Sequence, residues 1–134
     1  MANKKLLGVL LDTETGTAKA VRLDDNLESF YKALHCTTID IVSRCVDNKR
    51  FDIVCDDEAL LKEHPRLTAM GSYLSVADLY GSLFVVGEAD AEGNLTSLSR
   101  ADVKRILSHC HACYHCNDIH YGGHPMKMLH SVSL

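Results

Sequence analysis

The sequence predicts an α+β fold: a small, mostly antiparallel sheet built from hairpins, with two helices packed on one face. Three observations predict it: paired apolar stretches separated by turn residues, two segments with helical apolar spacing, and one uninterrupted apolar run between glycines. The chain has 134 residues, 46% of them apolar, which suffices for one core. We expect a single domain over residues 1–108 and a Cys/His-rich C-terminal extension over residues 109–134.

The first hairpin and the first helix occupy the N-terminal quarter of the chain. Residues 5–12 form a short apolar run, residues 13–16 carry turn chemistry, and residues 17–23 resume a strand-like pattern. Residues 24–26 then offer side chains that cap a helix. The helix is predicted to end near residue 34, because its apolar positions fall at i, i+3, i+4 and i+7, namely Leu27, Phe30, Tyr31 and Leu34.

A second hairpin follows the helix. Residues 38–46 alternate between apolar and polar positions, residues 47–50 are typical of a turn, and residues 51–55 return with apolar residues in phase. A short helix over residues 59–63 is predicted after it, and Pro65 disfavours its continuation.

The strongest strand signal lies in the second half of the domain. Residues 81–87 are apolar, rich in β-branched side chains and flanked by glycines, which predicts a central strand. Ser99 is placed to cap a second helix, with Asp102 at its third position. Three apolar residues form the predicted buried stripe of that helix: Val103, Ile106 and Leu107.

The segments at residues 79–87 and 92–98 carry a resemblance to a known family. Here the chain resembles an uncharacterised domain-of-unknown-function family of small proteins from conjugative elements and phages of anaerobic gut bacteria. Ser97-Leu98-Ser99 continues the match, and weaker matches are Ile39-Asp40-Ile41-Val42 and Cys55-Asp56-Asp57-Glu58. The resemblance covers about residues 5–108 and implies a non-enzymatic accessory protein of a mobile genetic element or phage. Such a protein is expected to bind a host protein or to sequester a small signalling molecule, with an anti-defence role.

The extension contains the sharpest local motif of the chain. Three of the six cysteines and six of the eight histidines lie between residues 109 and 130. Zn²⁺ prefers thiolate and imidazole ligands in a tetrahedral set, and Cys-x₂-Cys spacing is typical of such sites. The candidate ligands are Cys110, Cys113, Cys116 and His120. This motif predicts the alternative function, a small zinc-binding interaction module.

Two alternatives to zinc stay open for this motif at the level of sequence. The Cys-x₂-Cys-x₂-Cys run is similar to an iron–sulfur motif, although His120 stands where a fourth cysteine is expected and the proline is missing. A polar tail without a metal is the plainer alternative. Covalent haem attachment is excluded, because neither Cys113 nor Cys116 is followed by histidine.

The sequence contains neither a secretion signal nor a recognisable catalytic motif. Without a secretion signal we expect reduced thiols, and Cys45 and Cys55 are interpreted as small core residues. No nucleophile elbow, phosphate loop or His-Glu-x-x-His motif occurs, so we expect that the protein is not an enzyme. Catalysis by a cysteine of the extension would require a depressed thiol pKa, which the flanking neutral histidines do not guarantee. Two acidic pairs are interpreted as turn and capping residues: Asp24-Asp25 and Asp56-Asp57. Three aromatic residues are interpreted as core residues rather than as the lining of a ligand groove: Tyr73, Tyr80 and Phe84.

Charge and hydropathy narrow the class of partner. The net charge is −4, so the chain has no broad positive field for phosphates, and aromatic residues that could stack on bases make up only 6%. Nucleic acid is therefore a disfavoured partner. No apolar run approaches the roughly 20 residues that span a bilayer, and residues 6–11 are too short for a signal peptide. We therefore expect a cytoplasmic protein without membrane contact. Residues 17–23 are a candidate for edge-to-edge pairing in a homo-oligomer, which the sequence does not decide.

Overall fold

The structure is a computed structural model of the 134-residue chain, and it describes residues 4–46, 49–61, 67–70, 79–113 and 126–130. Its elements are, in chain order, β1 (Lys5–Asp12), β2 (Thr17–Asp24), α1 (Leu27–Leu34), β3 (Ile39–Val46), β4 (Lys49–Asp56), a 3-10 helix (Ala59–Leu61), β5 (Leu67–Met70), β6 (Leu79–Tyr80), β7 (Leu83–Val86), α2 (Arg100–Ser108), β8 (Cys110–Cys113) and β9 (Met126–His130).

Five strands form the main sheet in the order β2-β1-β7-β4-β3, and all neighbouring pairs are antiparallel. The two predicted hairpins, β1–β2 and β3–β4, are both present. β7 lies between them: Val85 faces Val9 of β1 on one side and Ile53 of β4 on the other. The predicted α+β class and the central position of the strand between the two glycines are therefore confirmed.

The helices cover opposite faces of this sheet, so the expectation that both pack on one face is wrong. Phe30 and Leu34 of α1 pack against even-numbered residues of the central strands, such as Phe84. Ile106 of α2 packs against odd-numbered residues, such as Val85. The reason lies in the pleat, because consecutive side chains of a strand point to opposite faces. All four residues of β7 are buried, so each face needs its own cover.

Both helices begin at the predicted caps. The Asn26 side chain accepts a hydrogen bond from the backbone N–H of Ser29 at 2.8 Å. The Ser99 hydroxyl accepts one from the N–H of Asp102 at 3.1 Å. Each bond satisfies a backbone donor that has no partner inside its helix.

A second sheet has the strand order β6-β5-β9-β8. β5 and β9 pair in parallel, while β8 and β9 pair antiparallel with residue 110 opposite residue 129. Residues 110–113 and 126–130, which belong to the predicted extension, thus supply two strands to this sheet. The predicted boundary between residues 108 and 109 stays a prediction.

Candidate functional site

A groove of about 460 Å³ lies at the C-terminal end of α1. It lies between this helix, the end of β4 and the short 3-10 helix. The residues that line it are Tyr31, Lys32, His35, Cys36, Thr37, Asp56, Glu58 and Leu61. Its volume falls in the range of about 300–1,000 Å³ that is usual for small-molecule sites.

One wall of the groove is shaped by the way α1 ends. His35 follows the helix with φ 56° and ψ 47°, and its N–H donates to the carbonyl of Tyr31. The N–H of Cys36 donates to the same carbonyl at 3.0 Å. This left-handed turn is a common helix end, but glycine usually occupies it, because a Cβ there costs roughly 1–2 kcal/mol.

The His35 side chain reaches back toward the end of β1. Its Nε2 lies 3.5 Å from Oδ1 of Asp12, a carboxylate that is largely buried, whereas the imidazole is half exposed. The same Asp12 oxygen accepts the N–H of Glu14 at 2.9 Å. The left-handed backbone position thus places an ionisable ring between the end of β1 and the groove.

The opposite wall is built where β4 gives way to the 3-10 helix. Asp56 is buried, and its Oδ1 accepts the N–H of Glu58 at 2.9 Å. Oε1 of Glu58 accepts the hydroxyl of Thr38 at 3.1 Å. The N–H of Asp57 donates to the carbonyl of Thr38 at 3.3 Å. These bonds tie the acidic wall to the start of β3 and hold both carboxylates at the groove.

The polarity of the groove favours a positively charged ligand over an anion. The C-terminal end of a helix carries a partial negative charge, and Asp56 and Glu58 add two carboxylates. Lys32, on the exposed side of α1, supplies positive charge at the rim. Tyr31 and the exposed Leu61, 79% accessible, give the groove its apolar contact area.

The acidic and aromatic residues singled out in the sequence lie partly in the core and partly at the groove. Phe84 is fully buried beneath α1, in accord with a core role, and Tyr80 is half-buried in β6. Asp56 stabilises the turn after β4, as expected for a turn residue, but it also faces the groove. Tyr73 lies outside the described residues.

The predicted zinc ligands are placed only in part. Cys110 begins β8; it packs beside the α2 side of the core, and its Sγ donates to the carbonyl of Ile106 at 3.4 Å. The backbone at Cys113 belongs to the same extended strand, whereas Cys116 and His120 lie outside the described residues. Within the ranges that the structure describes, no cluster of three or more His, Cys, Asp or Glu side chains is arranged for a metal ion. The zinc site stays a prediction.

The body cysteines of the second hairpin match their interpretation as core residues to different degrees. Cys55 is buried, and Cys45 is half-buried; both are reduced thiols. Desolvation, followed by the negative charge of Asp40, raises the pKa of Cys55 to about 11. Its thiol is therefore neutral at physiological pH.

Fold and groove together define a small α+β domain whose antiparallel sheet is covered on both faces and has an open polar groove at one end. The chain belongs to the family of the domain of unknown function DUF3846, which it matches over residues 6–111. No curated protein and no solved structure matches it. Three of the four predicted zinc ligands lie beyond the matched residues, whereas every residue of the groove lies within them. Within the described part of the chain, no helix is both long and apolar enough to cross a membrane.

The sequence does not predict the groove. Its patterns assign Tyr31 to the buried stripe of α1 and Asp56 to a turn, and each assignment describes only part of the residue's surroundings. The one local signal is His35-Cys36 directly after a predicted helix end, where a glycine is usual. A non-glycine residue with positive φ often marks a functional position.

Proposed function

We propose that this protein is a non-enzymatic binding protein whose groove at the end of α1 holds a small aliphatic amine. The observation that carries the proposal is the composition of the groove: two carboxylates, a helix C-terminus, an aromatic ring and an exposed leucine line it. A protonated amine is stabilised by the carboxylates and by the helix end. Its methylene chain is suited to the surfaces of Tyr31 and Leu61, where the ring also favours a cation.

The groove supports a small ligand better than a large protein surface. Its volume of about 460 Å³ accommodates a ligand of metabolite size, and its polar lining differs from the apolar centre of a stable protein interface. We further propose that the protein acts as an accessory of a conjugative element or phage, sequestering a small signal of the host. The resemblance carried by residues 79–87 and 92–98 supports this part of the proposal, including the anti-defence role and the cytoplasmic location.

A binding panel tests the small-ligand proposal. Purified protein is titrated calorimetrically with spermidine and, separately, with ATP, so that a cationic and an anionic probe are compared. We expect spermidine to bind and the variant Glu58→Gln to weaken it about tenfold, because one charge-assisted hydrogen bond is lost. Glu92→Gln, at an exposed turn remote from the groove lining, is the matched control. Binding of ATP alone, or of neither probe, would contradict the amine assignment; retention of a host protein instead would favour a protein partner.

The zinc-binding module remains a second candidate because of one feature of the second sheet. Residue 113 of β8 pairs with residue 126 of β9, so the two ends of the connecting segment are held together. This segment contains Cys116 and His120. We propose that Zn²⁺ binds there, and elemental analysis of the purified protein is expected to find about one zinc per chain. Unchanged metal content in the Cys113→Ser, Cys116→Ser double variant would refute the assignment.

A further inference from the structure

Strand β3 is one edge of the main sheet, and β4 is the strand to which it is paired within the described part of the chain. An edge strand presents a row of backbone N–H and C=O groups that are suited to pairing with another strand. Ile41, in the middle of β3, is a large apolar residue that is 45% exposed. We propose that β3 pairs antiparallel with β3 of a second copy of this chain, around a two-fold axis at Val42.

The hydrogen-bonding positions of β3 permit this register. The N–H of Ile41 donates to Oδ1 of Asp40 at 2.9 Å, and the carbonyl of Ser43 accepts Nη1 of Arg44 at 2.9 Å. These backbone groups therefore bond to side chains of their own strand. In an antiparallel ladder every second residue bonds outward, so positions 39, 41, 43 and 45 form the outward row. An axis at Val42 places Ile41 opposite Ser43 of the second copy. The outward backbone N–H and C=O groups of one strand then lie opposite those of the other and can form hydrogen bonds.

The charges of the strand fit the same register. Asp40 falls opposite Arg44 of the second copy, and the two-fold axis creates this pair twice. Both residues occupy positions of the ladder where opposite side chains approach most closely, with Cα atoms about 4.5 Å apart. On pairing, the side chains of Asp40 and Arg44 give up their bonds to their own strand, and each binds the oppositely charged residue of the second copy. The backbone groups of Ile41 and Ser43 that these side chains release then bond across the interface.

The other edge strand lacks this self-complementarity. β2 carries Lys19 and Arg22 on its length, while its acidic residue, Asp24, lies at the end and pairs with Lys5 at 3.0 Å. Registers that overlap most of β2 and join outward groups to outward groups place Lys19 and Arg22 opposite apolar residues, so they form no cross-strand ion pair. The structure thus favours β3 over the β2 segment, 17–23, that the sequence offered for edge pairing.

Charge reversal with rescue tests the interface. Sedimentation analysis across a concentration series is expected to give the wild-type protein a mass that rises from one chain to two. Asp40→Arg and Arg44→Asp, made singly, each bring two pairs of like charges together, and we expect the dimer Kd to rise about tenfold or more. The double variant restores opposite charges in exchanged positions and is expected to return within about threefold of wild type. Arg22→Asp, on the opposite edge, is the control and is expected to leave the Kd unchanged.

A cross-link gives a second measurement that does not depend on the charges. In the proposed register Val42 faces Val42 of the second copy at a Cα distance suited to a disulfide. Mild oxidation of Val42→Cys is expected to give covalent dimers above the wild-type background, and the added Arg44→Asp change is expected to reduce them. The mass of a single chain for the wild type at every concentration would overturn the proposal. A double charge variant no tighter than the single ones would also overturn it, provided that thermal unfolding shows it to be folded.

Discussion

Nζ of Lys49, at the start of β4, lies 3.0 and 2.8 Å from the two carboxylate oxygens of Asp102, in the first turn of α2. The pair joins the helix to the sheet that it covers. Desolvation acts to raise the pKa of Asp102, but the hydrogen bond and charge of Lys49, with further contributions from Ser99 and Arg105, hold it below its ordinary value of 3.8. Asp102 thus anchors α2 at the point where the helix dipole also favours an anion.

Asp102→Asn is expected to lower the free energy of unfolding by about 1–2 kcal/mol at neutral pH, since a charge-assisted hydrogen bond to a half-exposed lysine is lost. Because the folded-state pKa is depressed, this contribution is complete above the ordinary carboxyl pKa and disappears as the pH falls through the folded value. Urea unfolding at pH 7 and at acid pH measures both effects. A difference between variant and wild type that persists undiminished in acid would contradict the role of the charge.

Gly8 allows β1 to lie close to β7. A Cβ at this position would lie 2.5 Å from the carbonyl oxygen of Val85 and 2.6 Å from Cε1 of Phe84. We therefore expect Gly8→Ala to cost about 3 kcal/mol of stability, because the strand and the Phe84 ring must shift. Gly93→Ala is the comparison: it has φ +83° but nothing within 4 Å, so we expect only about 1 kcal/mol. Equal costs in thermal unfolding would contradict the close approach at Gly8.

His35→Gly separates the stability of the helix end from the properties of the groove. Removing a side chain from the left-handed position, φ 56°, is expected to stabilise the fold by about 0.5–1 kcal/mol, reduced by the loss of the half-exposed pair with Asp12. The same change opens one wall of the groove and is expected to weaken spermidine binding. Chemical denaturation and calorimetry on one sample measure the two effects. A loss of stability would show that the imidazole holds the turn in place.

Cys55 is expected to be the slowest body thiol to react with an alkylating reagent. With its pKa raised to about 11 by burial and by Asp40, it carries about a hundredfold less thiolate at neutral pH than an ordinary cysteine. The raised pKa also means that its contribution to stability is complete below the unfolded-state pKa and is lost as the pH rises through about 11. Peptide-level mass spectrometry after timed labelling checks the rate, with the half-buried Cys45 as the internal comparison; equal rates would contradict the burial.

The order of elements was accessible from sequence because each hairpin and helix is specified locally. Turn residues, caps and apolar spacing located β1 to β4 and both helices within a residue or two. The placement of the helices was not accessible in the same way. The fully apolar β7 already implied burial on both faces, but the alternating pattern of β3 favoured a sheet with one exposed face.

The groove could not be predicted because its walls are distant in sequence. The ends of α1 and β4 are separated by the whole β3–β4 hairpin, and only the register of that hairpin, with Ile39 opposite Asp56, brings them together. Local patterns report which face of an element is apolar, but they do not report where two element ends meet. The tail motif was conspicuous for the opposite reason, since its candidate ligands are close in sequence.

The amine-binding groove is tested most directly by a residue-resolved NMR titration of the full chain with spermidine. We expect saturable shifts of the backbone amides over residues 31–37 and 56–61, which form the two walls of the groove, and markedly smaller ones in Glu58→Gln. Shifts confined to other parts of the chain, or equal shifts in the variant, would contradict the proposed site.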